Sequence, residues 1–182
     1  APSSFRICRQ LLSRVENEVT GLVVPEQFHV EIPASRLEQA SAAGEILGDT
    51  VYKQFPFVEG GHPVAKDAPI SEHILAKGWR PALSVTGCDG LPATAVAGNV
   101  MLPFTKLKLS MRLPPTLDAT QASKDLEQIL TADPPQGAHV TIEHEQAGNG
   151  WHAPLEAEWL EEAIHTASLT YFDKPCAHLG EG

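Results

Sequence analysis

The sequence holds little that would suit nucleic acid or a membrane. Basic residues are scarce: 13 Lys and Arg stand against 23 Asp and Glu, a formal charge of −10. Duplex binding needs a basic face to replace counterions, and no window here is dense in Lys or Arg. Aromatics make up only 6%, which disfavours a stacking module for single strands. No apolar run reaches the roughly 18 residues of a membrane helix. Three cysteines, Cys8, Cys88 and Cys176, are odd in number and far apart. That suits a reducing compartment better than a disulfide framework, so a cytoplasmic location is expected. The start, Ala1-Pro2-Ser3-Ser4, lacks an initiator Met and has no basic opening or apolar stretch. It reads as a processed product or a fragment rather than a signal peptide.

Metal-site spacing is also missing. The eight histidines lie at 29, 62, 73, 139, 144, 152, 165 and 178. None forms His-x-x-His, His-x-Asp or His-Glu-x-x-His. His144-Glu145 continues with Gln146, Ala147 and Gly148, so it fails the zincin pattern. His139 and His144 fall on opposite faces of a predicted strand. Glu161-Glu162 reads as a solvated pair on a helix. There is no phosphate loop, nucleophile elbow or Cys-x-x-Cys. Cys8 and Cys88 read as small hydrophobes rather than nucleophiles.

What is present is a chain that can fold. Hydrophobic residues make up 42% and charged residues 20% of its 182, enough for one domain or a domain with an appendage. Residues 4–16 read as an amphipathic helix with Phe5, Cys8, Leu11, Leu12 and Val15 on one stripe. Gly21 and Pro25 break it. A second helix is predicted from Ser35, where Ser35 and Glu38 match a capping box and Leu37, Ala40, Ile46 and Leu47 form a weaker stripe. Residues 54–70 are rich in Gly and Pro and read as irregular, with a short helix at 71–77.

The pattern then changes to period two. Trp79, Pro81, Leu83 and Val85 alternate with polar or small residues. The clearest strand is 104–113, with Leu107, Leu109, Met111 and Leu113 on one face and Lys106, Lys108, Ser110 and Arg112 on the other. A helix is predicted over 118–131, with Ala122, Leu126, Ile129 and Leu130 inward, and Asp133-Pro134-Pro135 stops it. Residues 137–145 alternate again. A Gly/Asn/Pro-containing linker (148–154) leads to a last helix at 155–172. One strand ahead of residue 1 would complete β-α-β-β-α-β. The expected class is therefore α+β: a two-layer sandwich with a ferredoxin-like antiparallel sheet, helices on one face, a helical insertion and a C-terminal helix. On that reading the first strand is lost.

Three stretches carry a family resemblance. They are Trp79-Arg80-Pro81-Ala82-Leu83-Ser84-Val85-Thr86-Gly87-Cys88-Asp89-Gly90, then Ala97-Gly98-Asn99-Val100-Met101-Leu102-Pro103, then Lys108-Leu109-Ser110-Met111-Arg112-Leu113-Pro114-Pro115. Together they resemble the lid domain of the two-zinc metallopeptidases that include carnosine dipeptidase, aminoacylase and glutamate carboxypeptidase. The carnosine-dipeptidase branch, with its long lid insertion, is the nearest. Ala1 to Phe5 resembles the segment after that family's histidine-serine-glycine element. His178-Leu179-Gly180-Glu181-Gly182 resembles the start of its glycine-rich substrate loop.

The resemblance implies that 1–146 is the lid, with the insertion at about 18–78. It implies that 147–182 is a linker and the first helix back into an incomplete catalytic domain. It implies a homodimer formed through the lid, a dipeptide or N-acyl amino acid substrate, and two zinc or manganese ions in the full-length parent. No metal ligand or catalytic residue is carried by this chain, and the fragment alone is expected to be inactive. Two substrate-binding positions remain. Asn99 matches the residue that hydrogen-bonds substrate near its carboxylate or reaches across the dimer. Arg112 matches the strand-end arginine that holds the substrate's terminal carboxylate, a role suited to a planar bidentate fork. The plainer readings are an Asn that stabilises a turn and an Arg on a solvated face. A stand-alone ferredoxin-like binding or assembly module, without catalysis, is the alternative for the whole chain.

Overall fold

A computed structural model describes residues 1–180. Glu181 and Gly182 of the glycine-rich resemblance lie outside the described residues. The fold is α+β and divides into two compact units, Ala1–Val30 with Arg80–Asn149, and Glu31–Trp79 with Gly150–Gly182.

In the first unit, helix α1 spans Ser4–Leu12, and the Ser3 hydroxyl accepts from the Arg6 amide at its start. Its buried residues are Ile7 and Leu11. Phe5, expected inward, is exposed and lies under the Arg9 guanidinium. The apolar stripe is therefore centred one step around the helix from where the spacing placed it. The helix stops at Leu12 rather than 16, because the chain turns to put Val15, fully buried, into the core. Arg14 then reaches across to the end of helix α5 (Ala119–Thr131). It donates to the carbonyls of Ile129 (3.1 Å), Ala132 and Asp133 (2.8 Å). A cation there satisfies carbonyls that a helix C-terminus leaves open. At its other end α5 is capped by Asp118, which accepts from the Gln121 amide at 2.7 Å.

Strands β1 (Ala82–Asp89) and β2 (Lys106–Arg112) pair antiparallel, from Ala82 opposite Arg112 to Asp89 opposite Lys106. A bulge lies between Val85 and Gly87. Leu83 and Val85 share a face, opposite Met111 and Leu109, and the bulge changes the phase only beyond them; Leu83 packs on the core while Val85 is exposed. One face of the hairpin, with Leu83, Leu109 and Met111, packs on the core of Ile7, Leu11, Val15, Val23, Phe28, Ala122 and Leu130. Helices thus cover that face, and the opposite face carries Lys106, Lys108 and Arg112 outward. Residues 138–143 alternate in exposure as expected, and Ala138, Val140 and Ile142 pack on the same core. Yet this segment joins no ladder: the sheet among the described residues has two strands. The expected strand at 137–145 is an extended flank without backbone pairing.

In the second unit, helix α2 (Ala34–Leu47) packs on helix α4 (Ile70–Gly78) through Ala40, Ala43, Ile74 and Leu75. A short helix, α3 (Thr50–Lys53), lies between them in sequence. Gly44 lets the two backbones approach, since a Cβ there would lie 3.2 Å from the Ser71 amide nitrogen. The expected Ser35–Glu38 capping box is not formed. The helix begins at Ala34 after Pro33, so Ser35 already lies inside the first turn, and no side chain caps it. Of the predicted stripe only Ala40 is buried; Leu37, Ile46 and Leu47 are exposed. Helix α6 (Glu158–Phe172) buries none of its residues. No helix among the described residues is long and apolar enough to cross a membrane.

Candidate functional site

The β1–β2 hairpin positions both sequence-identified residues. Arg112 is the last residue of β2, opposite Ala82, and is exposed on the face away from the helices. Pro114 follows it and is fully buried. A strand end closed by a buried proline cannot fray freely, so the Arg112 backbone is well held. Its guanidinium therefore projects from a fixed origin, which is what a bidentate carboxylate grip needs.

Asn99 is exposed in the long connection between the strands, after a 3-10 turn at Thr94–Val96. The Val100 amide donates to the Gly98 carbonyl at 2.9 Å, folding a tight turn around Asn99. The connection starts at Gly90, whose φ of +89° and close approach to the Phe104 carbonyl exclude a side chain. Val96, Val100 and Met101 in the same connection are largely exposed. The loop is rooted at the Asp89–Lys106 end of the hairpin, and Arg112 closes the other end. Six residue steps of strand lead from Lys106 to Arg112, about 20 Å at strand rise. The loop that carries Asn99 is thus rooted at the end of the hairpin opposite Arg112.

Among the described residues, no group of three or more His, Cys, Asp or Glu could hold a metal ion. Four of the histidines have other partners. The ring of His29 contacts the Val23 carbonyl at 2.7 Å and that of His62 the Pro63 carbonyl at 2.7 Å. His73 lies tilted against Tyr52, with ring planes 57° apart, and His152 meets Trp79 edge-on. A two-metal centre does not fit the donor set of the described residues.

Two features went unread in the sequence. His144 bonds Glu127 through Nε2 (2.8 Å) and lies 3.4 Å from the Ser123 hydroxyl through Nδ1. The signal was the i, i+4 spacing of Ser123 and Glu127, which puts both on one side of α5. Although the residue types match a hydrolase triad, the serine contact is long and all three groups are partly open to water. The arrangement is a side-chain clamp between α5 and residue 144. The second feature is a pair of ion pairs, Lys106–Glu143 at 2.8 Å and Lys108–Glu145 at 2.7 Å. Their signal was the matched alternation, Lys-x-Lys against Glu-x-Glu. Glu143 is held below the usual carboxylate range by the hydrogen bond and charge of Lys106, and Lys106 is raised in turn. The Cys8 thiol is pushed up, chiefly by burial and secondly by Cys88, which makes it a poor nucleophile.

The α+β fold of this chain is similar to part of two solved dipeptidases. The structure is similar to that of human carnosine dipeptidase 1, with a TM-score of 0.61 and 18% identity, over 98% of this chain and 38% of that one. It is equally similar to the dipeptidase Dug1p of Saccharomyces cerevisiae, with a TM-score of 0.61 and 14% identity, over 100% of this chain and 37% of that one. The chain therefore spans under two-fifths of the length of either protein. No family model matches the sequence, and no curated protein matches it. At these identities the likeness establishes the fold.

Proposed function

We propose that this chain is the dimerisation and substrate-carboxylate-binding part of a metal-dependent dipeptidase or amidohydrolase. The observation that carries the reading is Arg112, exposed at the closed end of β2 in a fold shared with two dipeptidases over nearly its whole length. Arg112 grips the terminal carboxylate of a dipeptide or N-acyl amino acid. Asn99 hydrogen-bonds near the same carboxylate. Because the hairpin roots these residues at opposite ends, the reading that Asn99 serves the site of a dimer mate is favoured over service to its own.

The outer edge of β1 is the natural dimer contact. Its one ladder neighbour among the described residues is β2, and it presents exposed Val85 and Cys88. Edge strands of this kind pair across two-fold axes. The parent supplies zinc or manganese and the catalytic base from outside this chain.

The test is Arg112→Ala in the full-length parent. Loss of a charged hydrogen bond corresponds to about 1.5–3 kcal/mol, so kcat/KM should fall by about tenfold or more. Arg112→Lys should recover only part of it, since an ammonium cannot make the bidentate grip. An unchanged kcat/KM in Arg112→Ala would return this residue to a solvated strand face.

A further inference from the structure

A second arginine, Arg80, lies at the same end of the hairpin as Arg112. Its backbone is set by its neighbour. Pro81 follows it, and a residue before proline is held in extended backbone. Pro81 is buried, whereas Arg80 is half-buried. Successive side chains of an extended chain point to opposite faces, so Arg80 belongs to the face opposite Pro81. Leu83, two residues on from Pro81, packs on the core, as does its ladder partner Met111. Ala82 and its partner Arg112 therefore occupy the outer face, and Arg80 continues that row.

Extending the β1 register by two residues makes Arg80 and Arg112 diagonal neighbours, with Cβ atoms about 7–8 Å apart. Two guanidinium side chains at that spacing can reach one small ligand. Ala82 beside them leaves the space open. Ser84 and Ser110, paired on the same face, add hydroxyls and no charge. The far end of this face is built differently. Lys106 pairs with Glu143, Lys108 pairs with Glu145, and Asp89 stands opposite Lys106. Cations there alternate with carboxylates, whereas the near end sets two cations side by side. Like charges on neighbouring strand positions repel, and a ligand of two negative charges removes that cost.

We propose that Arg80 and Arg112 form a two-arginine site for a dicarboxylate: Arg112 holds the terminal carboxylate of the substrate, and Arg80 holds a second carboxylate on the side chain of the same terminal residue. This rests on the carboxylate grip assigned to Arg112. It adds the substrate class, a dipeptide or N-acyl amino acid that ends in an acidic residue. Each guanidinium fork takes one carboxylate bidentately. The carbon chain that joins the two carboxylates lies over Ala82.

The experiment titrates the 182-residue chain with N-acetylaspartate and with N-acetylasparagine, two ligands of one shape that differ by a single carboxylate. Amide signals of Ala82 and Arg112 report binding by NMR. N-acetylaspartate should bind about fivefold more tightly, as for an ion pair at the upper end of the exposed range. Arg80→Gln should abolish that ratio and leave N-acetylasparagine unchanged. Arg112→Gln should weaken both ligands. Equal affinity of the unaltered chain for the two overturns the proposal and leaves the Arg112 grip standing. No binding of either, or binding indifferent to Arg112→Gln, overturns both. Equal weakening of the two ligands by Arg80→Gln assigns Arg80 to the terminal carboxylate and overturns the second subsite. A lower melting temperature with the ratio retained assigns Arg80 to the fold alone and overturns it too. Arg80→Lys covers a glutamine variant that fails to fold: it keeps the charge without the fork and should retain only part of the ratio, and an unchanged ratio refutes the bidentate grip.

Discussion

Ile7→Ala and Phe5→Ala separate the stripe expected from spacing from the stripe that packs. Ile7 is 7% exposed and sits in the core beside Leu11 and Val15. Truncating a buried isoleucine costs about 2–5 kcal/mol through lost transfer energy and the cavity left behind. The strand residues over this core are only partly buried, so the site can relax, and the lower part of that range, about 2–3 kcal/mol, is expected. Phe5 is 40% exposed, and its ring centroid lies 5.8 Å from the Arg9 guanidinium. An exposed cation–π contact is worth about 0.5–1 kcal/mol, so Phe5→Ala should cost about 1 kcal/mol. The assay needs care, because all three tryptophans (79, 151, 159) and both tyrosines (52, 171) belong to the second unit. Fluorescence is blind to the first unit. Urea unfolding should be followed by the amide signals of β2, where Ile7→Ala should lower the midpoint by about 1–2 M at a slope of about 1.5 kcal/mol/M. Tryptophan fluorescence then reports the second unit separately. Equal costs for the two substitutions, or a larger cost for Phe5→Ala, would refute the observed helix orientation.

Two further outcomes follow from the caps and the ion pairs. Asp118→Ala should destabilise α5 by about 1 kcal/mol, as for loss of an N-cap, whereas Ser35→Ala should change little because Ser35 makes no cap; thermal melts of both variants compare them. Glu143 is lowered and Lys106 raised in the folded chain, so the pair stabilises between the two ranges. That contribution should be lost as pH falls through the lowered carboxylate value, and again as pH rises through the raised lysine value. Glu143→Gln should remove the acidic part of this dependence in urea midpoints measured against pH. A variant with the same acid profile as the parent chain would place the dependence elsewhere.

The sequence was most legible where period and punctuation agreed. The β2 alternation from Lys106 to Arg112, closed by Pro114-Pro115, was read with its faces correct, and so was α5 with its inward Ala122 and Leu130. It misled where a local device shifts the phase. The bulge between Val85 and Gly87 shifts the register by one residue beyond Val85, so that Cys88 rather than Gly87 falls opposite Leu107, and no residue type announced it. Pro33 fixed an extended entry to α2 and displaced a capping box that was formally present. The 137–145 pattern predicted a strand correctly in its faces and wrongly in its pairing. Alternation encodes which side is buried, whereas a ladder depends on a neighbour elsewhere in the chain. As for the candidate site, the family resemblance singled out Arg112 and Asn99, since residue type and position alone read as a solvated strand face and a turn; their separation in sequence says nothing about a hairpin whose opposite ends carry Arg112 and the root of the Asn99 loop.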